Sequence, residues 1–260
     1  MNRSATGIRG ICYDAGSSFQ RGPALGPGEI RKELNSGGMN LSAENGVDLN
    51  QWPTCDLGDF TIESYFDIEA LTLRHLKTCD RLFTLGGDHS ITYPILKAYR
   101  KKYPLLDVLQ IDAHPDLYQS YQGDPYSHAC PFARIMEEGL ATRLVQVGIR
   151  TLNPHQQDQS ERFGTEMFTM EKGLPGAPLK FENPVYISLD LDALDPAFAP
   201  GVSHREPGGL TTREVIHLLQ QLQGRVVGAD LVEYNPSRDV DRLTANLGAK
   251  LMKELLGRLV

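Results

Sequence analysis

The chain has 260 residues and a formal net charge of −7 at pH 7, with 26 Lys and Arg residues against 33 Asp and Glu residues. This balance argues against nucleic acid as the main partner and is compatible with a small cationic ligand. No stretch approaches the ~20 apolar residues of a membrane span, so we expect no membrane insertion. Length and composition indicate a single globular domain over residues 1–260.

The cysteines and the N-terminal segment bear on the cellular compartment. The four cysteines are scattered without a Cys-x-x-Cys pair, which favours reduced thiols over a disulfide framework or a zinc site. The segment Met1–Thr6 lacks the apolar region of a secretory signal. We therefore expect a cytoplasmic protein.

Apolar, β-rich runs recur along the chain and alternate with helical patterns. Thr211 and Glu214 have the spacing of a capping box ahead of apolar residues at helical spacing, and a leucine stripe marks the last segment. This alternation predicts a mostly parallel sheet covered by helices on both faces. The predicted strands are Gly7–Tyr13, Thr54–Leu57, Arg81–Leu85, Asp107–Ile111, Leu144–Ile149, Met167–Met170, Val185–Leu191 and Val226–Val232.

Side chains typical of metal ligands stand at the ends of several predicted strands. Because the carboxyl ends of parallel strands share one edge of a sheet, we expect these side chains to meet there. They belong to the segments Gly86–Ser90, Asp112–Asp116, Asp190–Asp192 and Gly228–Pro236.

The Asp190-x-Asp192 pair follows an apolar strand. In extended chain, side chains two apart share a face, and a cation relieves the repulsion of two buried carboxylates. The competing interpretation makes both residues N-cap or turn residues, but the apolar strand ahead of them and Leu191 between them favour the extended one. Alternation likewise predicts that the Asp112-x-His114-x-Asp116 side chains face one point.

The six candidate ligands comprise two imidazoles and four carboxylates, which is too much negative charge for one ion, whereas two divalent ions could share bridging carboxylates. Oxygen-rich ligation with some imidazole favours Mn²⁺ over Zn²⁺. Paired ions ~3.5–4 Å apart would lower the pKa of a bridging water from 15.7 toward ~7. The candidates are His89, Asp112, His114, Asp116, Asp190 and Asp192.

Three segments resemble the signature motifs of the ureohydrolase family, which comprises arginases, agmatinases and related guanidino hydrolases. They are Gly86–Ser90, Asp112–Asp116 and Ser188–Pro196. The resemblance runs from Gly16–Phe19 to the final helix, and Pro200–Leu210 is most similar to the plant arginase branch. It implies a three-layer α/β/α sandwich with an eight-stranded, mostly parallel sheet, two Mn²⁺ ions per chain, and a homotrimer or homohexamer.

The resemblance also implies how the ligands are divided between two ions. Asp112 and Asp190 would bridge both ions. The first ion would be held by His89, Asp112, Asp116 and Asp190, and the second by Asp112, His114, Asp190 and Asp192.

By the same resemblance, Glu233 would bind the substrate guanidinium through a charge-assisted pair, and His128 would shuttle a proton. Hydroxide bridging the metals at Asp112 would attack the guanidinium carbon, and the products would be urea and an amine.

Three further residues bear on substrate identity. Tyr118 and Asn153 stand where animal arginases use other residues to contact the α-carboxylate and the α-amino group, and Arg205 could receive a carboxylate. We expect arginine to be converted to ornithine, with agmatine or another guanidino acid as the alternative. Whether His204 lines the pocket or faces solvent stays open at this point.

Two alternatives of other kinds remain. A deacetylase of similar sheet architecture would bind one Zn²⁺, whereas a metal-stabilised assembly subunit without activity would keep the ligands and release no urea. The filled ligand positions and the presence of both His128 and Glu233 favour an active enzyme with two metal ions.

Overall fold

The computed structural model describes residues 5–259. At its centre is an eight-stranded sheet in which every strand pair is parallel, with the order β2-β1-β3-β8-β7-β4-β5-β6. The strands are β1 (Thr6–Cys12), β2 (Thr54–Thr61), β3 (Arg81–Leu85), β4 (Asp107–Ile111), β5 (Arg143–Ile149), β6 (Glu166–Thr169), β7 (Val185–Asp190) and β8 (Val226–Val232).

Seven helices cover the two faces of the sheet within the described residues. They are α1 (Gly26–Leu34), α2 (Asp67–His75), α3 (Thr92–Lys102), α4 (Pro131–Glu137), α5 (Pro154–Phe163), α6 (Thr212–Gln221) and α7 (Leu243–Leu256). The expected three-layer α/β/α sandwich is confirmed. Residues 1–4, part of the segment used to exclude a secretory signal, lie outside the described residues.

Two apolar clusters, one on each face, hold the layers together. Alternation along β7 sends Ile187 and Leu189 into the cluster beneath α1, α6 and α7, and Tyr186 into the cluster beneath α2, α3 and α4. A strand with both faces covered is apolar at most positions, which explains why nearly continuous apolar runs located the central strands. Edge strand β2 is mostly exposed and extends to Thr61, beyond the predicted Leu57, because polar residues are tolerated there.

The capping box and the leucine stripe predicted from the sequence are both present in the structure. Thr211 Oγ1 accepts the N–H of Glu214 at 3.2 Å, and Glu214 Oε2 accepts the N–H of Thr211 at 2.7 Å, which completes the capping box of α6. The leucine stripe of the last segment is buried, although Leu259 lies beyond the end of α7. Within residues 5–259, no helix combines the length and apolar composition that crossing a membrane requires.

The order of strands decides where function can reside. The four strands β3, β8, β7 and β4 are neighbours at the centre of the sheet, and each is followed by one of the segments with candidate ligands or catalytic residues. Their carboxyl ends open at the same edge, where ligand sites of parallel sheets form.

Candidate metal centre and active site

His89 enters the site through a tight turn after β3. A side chain at Gly87 would place its Cβ 1.8 Å from the carbonyl oxygen of Tyr13, so only glycine allows this approach of the two backbones. Asp88 Oδ1 accepts the N–H of Ser90 at 3.1 Å and so caps the turn. Asp88 therefore shapes the turn that carries His89.

The segment after β4 is bent and not extended, which corrects the sequence interpretation. Asp112 Oδ1 accepts the N–H of His114 at 2.7 Å, and Asp116 has a left-handed backbone with φ of 52°. Strand pairing ends at Ile111, so nothing imposes an alternating geometry beyond that residue. The three side chains converge through the bend.

Asp192 likewise does not lie in a strand. β7 ends at Asp190, a 3₁₀ turn follows over Leu191–Ala193, and Asp190 Oδ1 accepts the N–H of Asp192 at 2.7 Å. The cap interpretation is thus correct for the backbone, and the extended interpretation was wrong at Asp192. Asp190 uses Oδ1 for this cap and turns Oδ2 toward His89, and Asp192 turns Oδ2 toward His114. Both carboxylates therefore still face the site.

The first cluster surrounds the Nδ1 atom of His89. Oδ2 atoms of Asp112, Asp116 and Asp190 lie 3.0, 3.2 and 3.1 Å from it. Despite this proximity, Nδ1 has no hydrogen-bond partner among the described residues, although it is buried. A buried ring nitrogen without a hydrogen-bond partner, surrounded by three carboxylate oxygens, fits a cation better than a proton.

The tautomer of His89 also favours a metal ion at Nδ1. Ser188 Oγ donates to Asp230 Oδ1 at 2.6 Å, and His89 Nε2 lies 2.9 Å from the same hydroxyl. Because the hydroxyl proton is used on Asp230, Ser188 accepts the proton of Nε2, which leaves the Nδ1 lone pair facing the cluster. Asp230 thus supports a candidate ligand from behind.

The second cluster contains Asp112, His114 and Asp192. His114 Nδ1 lies 3.1 Å from Asp192 Oδ2 and 3.6 Å from Asp112 Oδ1. Asp112 turns Oδ2 toward His89 and Oδ1 toward His114, the arrangement of a carboxylate that bridges two ions. Each cluster has ligand atoms close enough to hold one metal ion. The structure therefore brings all six predicted ligands together.

Glu233 and His128 form a buried pair beside these clusters. Glu233 has a left-handed backbone with φ of 64°, and its Oε1 accepts the N–H of His89 at 2.9 Å and Nδ1–H of His128 at 3.0 Å. Burial alone would lower the pKa of His128, but the Glu233 carboxylate raises it to about 9. Burial opposes ionisation of Glu233, yet the positive charge of His128 holds its pKa below the usual value.

Two residues that the sequence left unassigned complete the surroundings of His128. Ser18 Oγ lies 2.8 Å from His128 Nε2, and the ring of His204 stacks on His128 at 5.4 Å. His204 therefore faces the pocket, which settles the open question. Burial and the nearby His128 lower the pKa of His204. The resemblance of Gly16–Phe19 to a family motif was the only sequence signal for Ser18.

A cavity of about 200 Å³ lies over both clusters. Tyr118, Tyr121, Thr151 and His204 form part of its wall, together with Glu233 and several candidate ligands. Tyr118, a predicted substrate contact, thus lies in the wall of this cavity.

Asn153 and Arg205 are not among the residues that line this cavity, and their substrate contacts stay predictions. Asn153 Oδ1 caps α5 by accepting the N–H of Gln156 at 3.0 Å, and its amide donates to the hydroxyl of Tyr118. Arg205 is exposed and donates to the carbonyl oxygens of Pro200, at 2.6 Å, and Arg238. Asn153 thus contacts a residue of the cavity wall, whereas Arg205 is bonded to backbone carbonyls.

Comparison with known proteins agrees with this architecture. Arginase 1, mitochondrial, of Arabidopsis thaliana is 42% identical over an alignment of 280 residues, gaps included, that covers 99% of this chain and 82% of that protein. The mitochondrial guanidino acid hydrolase of Homo sapiens is 36% identical over 270 residues, covering 95% and 76% of the two chains. Among solved structures, the arginase from Medicago truncatula gives a TM-score of 0.92 at 38% identity, covering 98% of this chain and 87% of that chain.

These relatives contradict the expectation of a cytoplasmic protein. The names of the similar plant arginases place them in mitochondria, and one in chloroplasts or mitochondria. Scattered reduced cysteines report on redox environment, which does not by itself distinguish the cytosol from an organelle. A model of the arginase family matches residues 4–257. This match and the full-length relatives show that the chain belongs to the arginase family, whose members are hydrolases acting on guanidino compounds.

Proposed function

We propose that this chain, acting as one catalytic domain over residues 1–260, hydrolyses arginine to urea and ornithine with two Mn²⁺ ions. The observation that carries the proposal is the position of Asp112, whose two carboxylate oxygens face two different ligand clusters. The Glu233 carboxylate beside those clusters supplies a place for a guanidinium. The similarity to plant arginases supports arginine as the substrate.

The donor set favours manganese. His89, Asp112, Asp116 and Asp190 would hold one ion, and Asp112, His114, Asp190 and Asp192 the other, so that oxygen ligands outnumber nitrogen in each site. When bound, such an ion pair supplies an acidified water molecule and stabilises negative charge at neutral pH.

The protein's own residues orient the substrate and move the proton. Glu233 is an ionised carboxylate in a buried site, and a planar guanidinium with its fork of N–H donors suits it. His128, with a pKa of about 9, is protonated at neutral pH and can give a proton to the departing amine. Ser18 and His204 hold the imidazole ring in place from two sides.

Substrate choice depends on how the cavity receives the end of the molecule remote from the guanidinium. Among the described residues, no Lys or Arg belongs to the lining. We propose that the hydroxyls of Tyr118 and Tyr121 and the imidazole of His204 meet the α-carboxylate of arginine, since the Thr151 hydroxyl already donates to the carbonyl oxygen of Ala113 at 3.0 Å. Agmatine lacks that carboxylate and is the alternative, together with other guanidino acids. A homotrimer or homohexamer is proposed on the family resemblance alone.

A parallel assay of urea release tests the proposal. The Mn²⁺-loaded protein is given arginine, agmatine, guanidinobutyrate and guanidine, and the highest kcat/KM is expected for arginine. A preference for agmatine would replace the substrate but keep the enzyme class. Absence of urea with all four substrates, at two bound metal ions per chain, would favour an inactive assembly subunit. One Zn²⁺ per chain would favour a deacetylase.

A further inference from the structure

Two buried glutamines face each other behind the candidate metal centre. Gln110 on β4 and Gln146 on β5 are partners in the register of the two parallel strands, and neither is exposed to solvent. They lie on the face of the sheet where their strand neighbours Val108 and Leu144 belong to the apolar core. A pair of amides at such positions needs an explanation other than packing, because burying amides costs free energy that apolar side chains do not.

Their hydrogen bonds run in one direction, toward the metal centre. Gln146 Nε2 donates to Gln110 Oε1 at 2.5 Å and to the carbonyl oxygen of Pro115 at 2.8 Å. Gln110 Nε2 donates to Asp112 Oδ2 at 2.6 Å and to the carbonyl oxygen of His114 at 2.9 Å. Since an ionised carboxylate and carbonyl oxygens can only accept, these contacts fix the orientation of both amides.

These contacts hold both the carboxylate and the backbone of the segment 112–116. That segment carries three candidate ligands in a bent conformation, with Asp116 in the left-handed region. The amides bind it at Asp112, His114 and Pro115. Gln146 Oε1, by contrast, is buried without a hydrogen-bond partner within the described chain, so the pair is oriented for its donors at the expense of one acceptor.

We propose that Gln110 and Gln146 are positioning residues for the metal centre, which set the orientation of the bridging Asp112 and the shape of its loop. The inference rests on the metal ligands proposed above. An N–H on one side of Oδ2 leaves that oxygen's remaining lone pair for the ion near His89. A neutral amide does this without adding charge to an already crowded set of carboxylates. Gln146 acts one step back, because it binds Gln110 and the loop but no ligand side chain.

Mn²⁺ affinity of the metal-free protein tests the inference, with Mn²⁺ alone as the probe and calorimetry as the measurement. Gln110→Met keeps the volume of the side chain and removes both donors, and it should weaken Mn²⁺ binding about 10-fold. Gln146→Met should weaken it less, about 3-fold. The double variant should be close to Gln110→Met alone, because the two residues act through one chain of hydrogen bonds.

Gln159→Met provides a matched control, since Gln159 is also a buried glutamine but its side chain contacts Arg162 on α5. It should bind Mn²⁺ as the wild type does. Unchanged affinity in both Gln110→Met and Gln146→Met, or an equal loss in the control, would overturn the inference. If Gln110→Met fails to fold, Gln146→Met decides alone. A wild-type protein that binds no Mn²⁺ would overturn the proposed metal site as well, so the two failures are distinguishable.

Discussion

His128 Nδ1 lies 3.0 Å from Glu233 Oε1, and the same oxygen accepts the backbone N–H of His89 at 2.9 Å. One carboxylate thus connects the proposed proton donor to the turn that carries a proposed metal ligand. Within the described residues, the side chain of His128 makes hydrogen bonds to Ser18 and Glu233 and to none of the six candidate ligands, so it can be replaced without removing a ligand.

His128→Asn should therefore slow turnover while metal binding persists. Asparagine can keep a hydrogen bond to Glu233 but cannot transfer a proton to the departing amine. We expect kcat to fall roughly 10²–10⁴-fold, the usual contribution of a positioned general acid. The measurement is steady-state kinetics alongside metal content per chain. A parallel loss of metal would show that His128 is a ligand and not a proton donor.

Asp112→Ala should abolish both activity and metal binding. Its carboxylate belongs to both clusters, so the substitution removes a ligand from each proposed site. Metal content after dialysis against a fixed Mn²⁺ concentration is the readout. The exposed Asp158 on α5 offers a control, because Asp158→Ala removes a carboxylate outside the clusters. Full activity in Asp112→Ala would refute the assignment.

Chelation should lower the thermal midpoint of unfolding. Metal that binds only the folded state stabilises it by about 2.7 kcal/mol per site at a free concentration of 100 Kd, because binding draws the equilibrium toward the folded chain. The clustered carboxylates also repel one another once the cations are gone. We expect Tm to fall by several degrees and to recover when Mn²⁺ is added back. An unchanged Tm after verified metal removal would contradict a stabilising metal centre.

The free energy of unfolding should decrease as the pH is lowered below about 6.5, because of His75. Burial, reinforced by the neighbouring Arg9, lowers the pKa of His75 to about 4. Arg9 Nη1 lies 3.5 Å from His75 Nδ1, and since arginine can only donate, His75 is neutral in the folded chain. Between pH 6.5 and 4 the unfolded chain binds a proton there that the folded chain does not, so folding stability decreases as pH decreases.

His75→Gln removes this titration. Between pH 7 and 5, the wild type should lose about 2 kcal/mol more free energy of unfolding than the variant does. Urea denaturation of the two metal-free proteins at both pH values measures the difference. His217→Gln is a suitable comparison because His217 is exposed. Identical pH dependence of wild type and His75→Gln would show that His75 is not the group responsible.

The sequence predicted the sheet well because its central strands are buried on both faces. Continuous apolar runs are necessary there, and all eight strands were found near their observed positions. Residue chemistry at strand ends predicted the six candidate ligands, since carboxylates and imidazoles follow strands that a parallel sheet must bring to one edge. That much follows from local pattern and from the direction of the strands.

The structure, and not the sequence, decided how those side chains reach one another. Asp192 lies in a 3₁₀ turn and Asp116 in a left-handed bend, whereas simple alternation predicted extended chain for both. Arg205 is held outside the cavity by backbone carbonyls, and Ser18, distant in sequence, reaches His128. Contacts between residues far apart in the chain depend on how packed elements meet. The sequence thus determined which residues stand at the sheet edge, and tertiary structure determined which of them face the cavity, because hydrogen bonds beyond the strand ends set each side chain's direction.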